Sequence, residues 1–293
     1  MNLEIPKQFN LPRTLYSHGW SELLPFEIDD VNWRLSYVFS GADLKQPVSA
    51  TVSEAGNKLK IEVSGAKPSP QAQEKILRDV RRILRLDDDL NEFYKLVESE
   101  KDLAWIAANN AGRLVRSPTV FEDLVKTLCT TNCNWAMTKK MTANLVAKLG
   151  APSKDGKRAF PTAEAMAAQT AEFYKDEIRA GYRAPYFKEL AEKVAAGELN
   201  PESWLHTDLP TPELKKEMKR VKGVGEYAAD NLLKLIGRYD GLALDSWLRA
   251  QFYKKHNAET ACDDKHIEKH YDRFGAWRGL VIWCDMTRRW LDD

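Results

Sequence analysis

Val221-Lys-Gly-Val-Gly-Glu-Tyr-Ala-Ala229 sets two glycines between a lysine-rich segment and a run of small and apolar residues. Upstream, Thr211 suits a helix cap, Pro212 a first turn, and Glu213 the positive end of the helix dipole. Leu214, Met218 and Val221 recur at helical spacing. Gly223 and Gly225 interrupt that helix and permit a tight turn whose amides stay uncovered by side chains. A second helix is expected from near Glu226 through Ala228, Ala229, Leu232, Leu233 and Ile236, with Gly241 ending it. The segment therefore predicts a helical hairpin.

Backbone N–H groups at such a turn, next to a helix N-terminus, attract a phosphate. Lys215, Lys216, Lys219, Arg220 and Lys222 crowd the same region and would add salt-sensitive attraction to a nucleic-acid backbone. The whole chain carries 44 Lys and Arg against 43 Asp and Glu, a formal net charge of +1, so any basic surface is local. An ordinary hairpin with a solvated charged face fits the same residues. A dinucleotide loop fits less well, because the GxGxxG pattern is incomplete and no strand clearly precedes it.

A lone acid follows in Leu242-Ala-Leu-Asp-Ser-Trp-Leu-Arg249. Asp245 suits the cap of another helix, whose apolar side includes Trp247, Leu248 and Phe252. A carboxylate at the mouth of an apolar pocket can also stabilise a cationic sugar transition state and position water. The two roles are compatible.

These residues resemble the helix-hairpin-helix DNA glycosylases that have a Gly/Pro-rich loop and a catalytic aspartate. Phe121-Glu-Asp-Leu-Val125 is similar to the start of their six-helix region. Leu128-Cys-Thr-Thr-Asn-Cys-Asn134 is similar to the segment approaching the extruded nucleotide and its widowed partner. Gly181-Tyr-Arg-Ala-Pro-Tyr186 and Phe274-Gly-Ala-Trp-Arg-Gly-Leu-Val-Ile-Trp-Cys284 match two further stretches. Arg85-Leu-Asp-Asp-Asp-Leu90 and Gly112-Arg-Leu-Val-Arg116 point to the alkyladenine and 8-oxoguanine branch, with its additional N-terminal sheet domain. The likeness covers nearly the whole chain; the hairpin and Asp245 are its specific core.

The resemblance implies that Asp245 supports cleavage of an N-glycosidic bond. Bifunctional members carry a lysine two residues past the second hairpin glycine, where this chain has Tyr227. Tyrosine cannot form a Schiff base, so the expected enzyme leaves an abasic site without cutting the strand. Gly223, Gly225, Lys219, Lys222 and Arg249 are the expected DNA-backbone contacts. Asn132 and Asn134 offer donor and acceptor atoms to the gap or the orphaned base, or else cap helices. Tyr227, Trp247, Tyr182 and Trp277 are candidate pocket walls, with core packing an equal alternative for each. A cationic alkylated purine such as 3-methyladenine gains from an aromatic pocket and is already an activated leaving group. The Asn132-x-Asn134 pattern keeps 8-oxoguanine open, as does a deaminated base. A noncatalytic DNA-damage binder is the opposing reading.

The fold class expected is α+β: an N-terminal antiparallel sheet domain over residues 1–70 and a helical glycosylase domain over 71–293. That domain contains the hairpin at 211–237, and residues 71–115 can supply part of the bundle. Lys58-Leu-Lys-Ile-Glu-Val63 alternates in polarity as a half-buried strand does; Thr51-Val-Ser53 and Ser36-Tyr-Val-Phe39 extend the sheet. Lys67-Pro-Ser-Pro70 is the expected boundary turn. Ile76, Val80, Ile83 and Leu84 share one helical face, and another helix starts near Pro161.

No apolar run is long enough to cross a membrane, and Glu4 and Lys7 interrupt any secretory signal. The expectation is a cytoplasmic protein, at the nucleoid if bacterial and nuclear if eukaryotic. Cys129, Cys133, Cys262 and Cys284 lack compact metal spacing and read as buried thiols; the five histidines form no HExxH motif. No metal or redox cofactor is expected for the reaction, although the resemblance allows a monovalent cation at the hairpin. The expected partner is damaged double-stranded DNA, bound by a monomer.

Overall fold

The computed structural model describes residues 1–65 and 67–288. Ala66 and the last five residues of the expected helical domain lie outside that range.

Alternation in the sequence becomes a five-stranded antiparallel sheet: β1 (Asn2–Glu4), β2 (Glu27–Asp29), β3 (Arg34–Phe39), β4 (Val48–Ala55) and β5 (Lys58–Val63), in the order β1-β5-β4-β3-β2. Register places Leu35 opposite Val52 and Val52 opposite Ile61, so three buried side chains cross the sheet on one face. On β5, Leu59 and Ile61 are buried while Lys58, Lys60 and Glu62 are exposed, as period-two geometry demands. A short helix, α1 (Leu11–Leu15), lies between β1 and β2.

The helical part begins at α2 (Pro70–Ile83), where Ser69 accepts from the Ala72 amide and Pro70 occupies the first turn. Ala72, Ile76, Val80 and Ile83 of α2 join the sheet's apolar cluster. Then come α3 (Asn91–Glu98), α4 (Ala104–Ala108), α5 (Val120–Thr130), α6 (Trp135–Leu149), α7 (Ala163–Ala167), α8 (Ala171–Asp176) and α9 (Ala184–Ala195). The last five are α10 (Thr211–Met218), α11 (Glu226–Ile236), α12 (Ser246–His256), α13 (Asp264–Tyr271) and α14 (Arg278–Thr287). One helical core gathers α5 to α11; a second joins α3 and α4 to α12–α14. No helix among the described residues is long and apolar enough to cross a membrane.

Two expected helix ends differ. Thr211 is the first residue of α10, after Pro210 at the cap position, and provides no side-chain cap. Helix α11 stops at Ile236, not near Gly241, because Gly237 takes the left-handed conformation (φ 98°) that closes a helix. Gly241 lies further along the loop leading to Asp245.

A buried polar seam ties the sheet to α5. Tyr37 on β3 donates to Glu122 at 2.6 Å, and Glu122 pairs with Lys126 at 2.7 Å. Trp20 donates its indole N–H to Asp123 at 2.8 Å. The Lys126 ammonium also lies 4.5 Å from the Phe26 ring centroid. These contacts fix where the loop between α1 and β2 meets the helices.

Candidate active site

The hairpin forms as its glycines dictate. Gly223 has φ 91°, and a Cβ there would come within 2.6 Å of the Tyr186 ring, so both backbone and packing call for glycine. Gly225 is exposed, caps α11 and faces open space. The first amides of α11 therefore emerge beside an unobstructed surface, the geometry that accepts an anion. The basic residues nearby are partly neutralised. Lys215 contacts Glu226 and Asp230 at 2.7 Å each, and Lys219 pairs with Glu226. Lys222 is exposed, 3.6 Å from Glu189 and 5.8 Å from the Tyr186 ring centroid.

Downstream of α11, the chain turns back to the start of α12. Asp245 caps that helix, accepting from the Leu248 amide at 2.7 Å. Two residues earlier, buried Ala243 holds φ 52°, a left-handed conformation costly for a residue with a Cβ. Asn132 is similarly held at φ 45°. Both line the same cleft as Asp245.

That cleft measures about 900 Å³ and is open to solvent. Tyr227, Trp247, Asn132, Asn134 and Asp245 meet there, so five of the expected site residues converge. Tyr227 occupies the second position of α11; burial, then the charge of Asp245, push its hydroxyl pKa up, leaving a protonated phenol. Asn134 caps α6, accepting from Met137 N at 2.9 Å. Asn132 donates to the Tyr182 hydroxyl at 3.1 Å.

Three expected contacts sit elsewhere or are otherwise engaged. Tyr182 is 51% exposed and lies outside the residues lining the cleft, next to Tyr186 and the Arg183 guanidinium. Its bond to Asn132 holds it at the surface. Trp277 stacks on Tyr239 at 5.5 Å and packs against Phe93, lining a different cleft. Arg249 is held by both oxygens of Asp264, at 2.7 and 2.8 Å, so its fork is occupied within the protein.

Sequence reasoning missed the N-terminal contribution. His18, Gly19, Trp20 and Glu22, from the segment between α1 and β2, line the same cleft as Asp245. Gly19 allows the close approach of Trp135, whose ring would lie 2.7 Å from any Cβ at that position. The Trp135 indole N–H donates to Glu22 at 3.1 Å. Trp283 on α14 completes the aromatic wall, with its ring 6.1 Å from Trp247 and its N–H bonded to the Ser17 carbonyl at 2.7 Å. A His-Gly-Trp cluster in a loop was the available signal, but nothing local indicates which way it faces.

Lys234 was also missed. It projects from α11 into the protein, 1% exposed, with its ammonium 4.6 Å from the Trp283 ring centroid and no hydrogen-bond partner. Burial lowers its pKa to about 8 against the opposing pull of Asp245 and Asp230. Cys129 and Cys284 are buried thiols; Cys133 and Cys262 are partly buried, and none is disulfide-bonded. Among the described residues, no cluster of three or more His, Cys, Asp or Glu side chains is arranged to hold a metal ion.

The two-glycine hairpin, the helix-capping aspartate and part of the aromatic cleft lie within a segment that matches a known family. Residues 125–280 match the HhH-GPD superfamily base excision DNA repair proteins. The chain belongs to that family. An N-glycosylase/DNA lyase from Saccharomyces cerevisiae is 24% identical over 216 residues, which are 70% of this chain and 57% of that protein. The chain thus spans little more than half the length of this relative. Among solved structures, the 3-methyladenine DNA-glycosylase of Archaeoglobus fulgidus superposes with a TM-score of 0.78 at 18% identity, covering 99% of this chain and 98% of the other. The 8-oxoguanine glycosylase/lyase of Clostridium acetobutylicum, in complex with double-stranded DNA containing cytosine opposite 8-oxoguanine, superposes at 0.75 and 20% identity, covering 100% and 98%. At such identities the superpositions establish the shared α+β fold, sheet domain included.

Proposed function

We propose that this HhH-GPD protein is a monofunctional DNA glycosylase that removes a damaged purine from duplex DNA. The observation that carries the reading is Asp245: a carboxylate fixed at a helix N-terminus, at the edge of an aromatic cleft, one loop away from a phosphate-accepting hairpin. A base within a duplex must leave the stack to enter such a cleft. The amides beyond Gly225 would hold the backbone, while Asn132, Tyr182 and Asn134 lie at the rim, where the vacated stack would face. The Clostridium relative of the same fold is solved in complex with double-stranded DNA, which supports a duplex as the ligand.

In the reaction the bond between C1′ and the purine nitrogen breaks, and the base leaves with the bonding pair. Asp245 stabilises the cationic sugar and positions water, whose oxygen bonds to C1′ and whose proton passes to the carboxylate. A single acid suffices if the leaving base is already activated. The aromatic rings of Trp20, Trp135, Trp247 and Trp283 favour an alkylated, positively charged purine. Tyr227 replaces the amine that a lyase step would require. The hairpin carbonyls of Met218 and Val221 each accept one backbone N–H, at 3.1 and 3.0 Å, leaving a second lone pair suited to a monovalent cation. Such a cation would help hold phosphate and takes no part in bond cleavage.

The test is base release from duplexes carrying alkylated purines, hypoxanthine, 8-oxoguanine or uracil, with alkali added only after reaction. Release of a purine lesion, with strand breaks appearing only after alkali, is the expected result. Strand cleavage without alkali would contradict the monofunctional reading. Tight DNA binding with no release from any duplex would instead mark a noncatalytic damage binder.

A further inference from the structure

His18, which lines the cleft, and Lys234, which packs on the Trp283 ring outside that lining, are two polar groups that the reaction above does not use. His18 is 6% exposed and lines the cleft, and its Nδ1 has no hydrogen-bond partner. Its ring packs between Trp20, at 4.4 Å, and Trp283, at 5.3 Å. Lys234 approaches the same Trp283 ring, and its ammonium is also without a partner. Buried polar atoms normally find partners, so an imidazole without one in the wall of the cleft marks His18 as a group that a ligand can engage.

We propose that His18 is a specificity-determining residue that donates a hydrogen bond to a carbonyl oxygen on the edge of the extruded purine, selecting guanine-type and hypoxanthine-type bases over adenine-type bases. The inference rests on the glycosylase reading and refines its substrate class. Burial, then the neighbouring Lys234 charge, lower the His18 pKa to about 3, so the imidazole is neutral and has one donor and one acceptor nitrogen. An ammonium can only donate. It favours the imidazole lone pair turned toward itself and the ring N–H turned toward the cleft. A carbonyl oxygen complements that N–H, whereas the amino group at the same purine position is itself a donor. Trp20 and Trp283 hold the ring in place, so the donor is oriented before the base arrives.

The experiment measures single-turnover release of 7-methylguanine and 3-methyladenine from methylated DNA, and of hypoxanthine from a defined duplex. Wild-type protein, His18→Asn and His18→Leu are compared, with melting temperature and DNA affinity measured in parallel. Wild-type protein should release the carbonyl-bearing bases faster than the adenine-type bases. His18→Leu should slow carbonyl-base release by about 10- to 100-fold, the loss expected when one buried hydrogen bond is left unmade. Adenine-type release should change far less. His18→Asn, which keeps an uncharged donor, should recover part of the lost preference even if the leucine variant folds poorly. Preferential release of adenine-type bases by wild-type protein, or an unchanged preference in both folded variants, would overturn the proposal while leaving the glycosylase reading intact. No release of any base by wild-type protein would remove both.

Discussion

Among the described residues two lysines are almost wholly buried, and their surroundings differ. Lys126, in the seam between sheet and α5, faces Glu122 at 2.7 Å and the Phe26 ring, while Glu122 also accepts from Tyr37. Lys234, beside the cleft, contacts the face of Trp283 and has no hydrogen bond. The first is a closed charge pair that joins two parts of the chain. The second is a buried charge whose nearest acids, Asp245 and Asp230, act on it without bonding it. Burying an ion without partners is costly, and such groups cluster where ligands act. The contrast sets a structural interface apart from the proposed site without reference to any relative.

Substitution of each lysine by methionine, similar in length but uncharged, gives the sharpest break. Lys126→Met leaves the Glu122 carboxylate buried without its cation and should cost about 3–5 kcal/mol of stability. Lys234→Met removes an unpaired buried charge and should be neutral or stabilising by about 1–4 kcal/mol. Chemical denaturation of both variants at pH 7 checks this; equal destabilisation would erase the distinction between the two regions.

A smaller effect tests the seam alone. Burial raises the pKa of Asp123 to about 6, and its Oδ1 accepts from Trp20 and from the Ser117 amide. A carboxyl whose folded pKa is raised contributes its stability below the unfolded value, near 4, and loses it as pH rises through 6. Asp123→Asn cannot ionise. Its stability relative to the wild type should therefore improve between pH 4 and pH 7.5, by on the order of 1–3 kcal/mol. A relative decline over that range would show that the seam favours the ionised acid.

The same contrast explains what the sequence revealed. The hairpin and Asp245 were legible because their meaning is local: glycine spacing, a capping acid and a helix after it lie within about one stretch of chain. Strands β3, β4 and β5 were legible from alternation, and Ser69 and Pro70 marked the start of α2. The cleft's other half was not. His18 and Trp20 come from near the N-terminus and Trp283 from near the C-terminus, and only tertiary packing brings them beside Trp247. Trp277 and Tyr182 show the converse, since an aromatic ring's sequence does not say whether it packs in a core, lines a pocket or lies at a surface. Lys234 had a faint signal: a lysine within Leu232-Leu-Lys-Leu-Ile236, where every neighbour is apolar. Arg249 had none, because its partner Asp264 sits on the next helix.

The most direct test of the account is single-turnover base release by Asp245→Asn, with DNA affinity and thermal stability measured on the same preparation. Asparagine still accepts from the Leu248 amide, so the helix cap and the fold should persist. The account predicts that release of the preferred lesion falls by about 100-fold or more while the folded protein still binds the same duplex. Release at the wild-type rate by the folded variant would contradict it, leaving Asp245 as a helix cap alone.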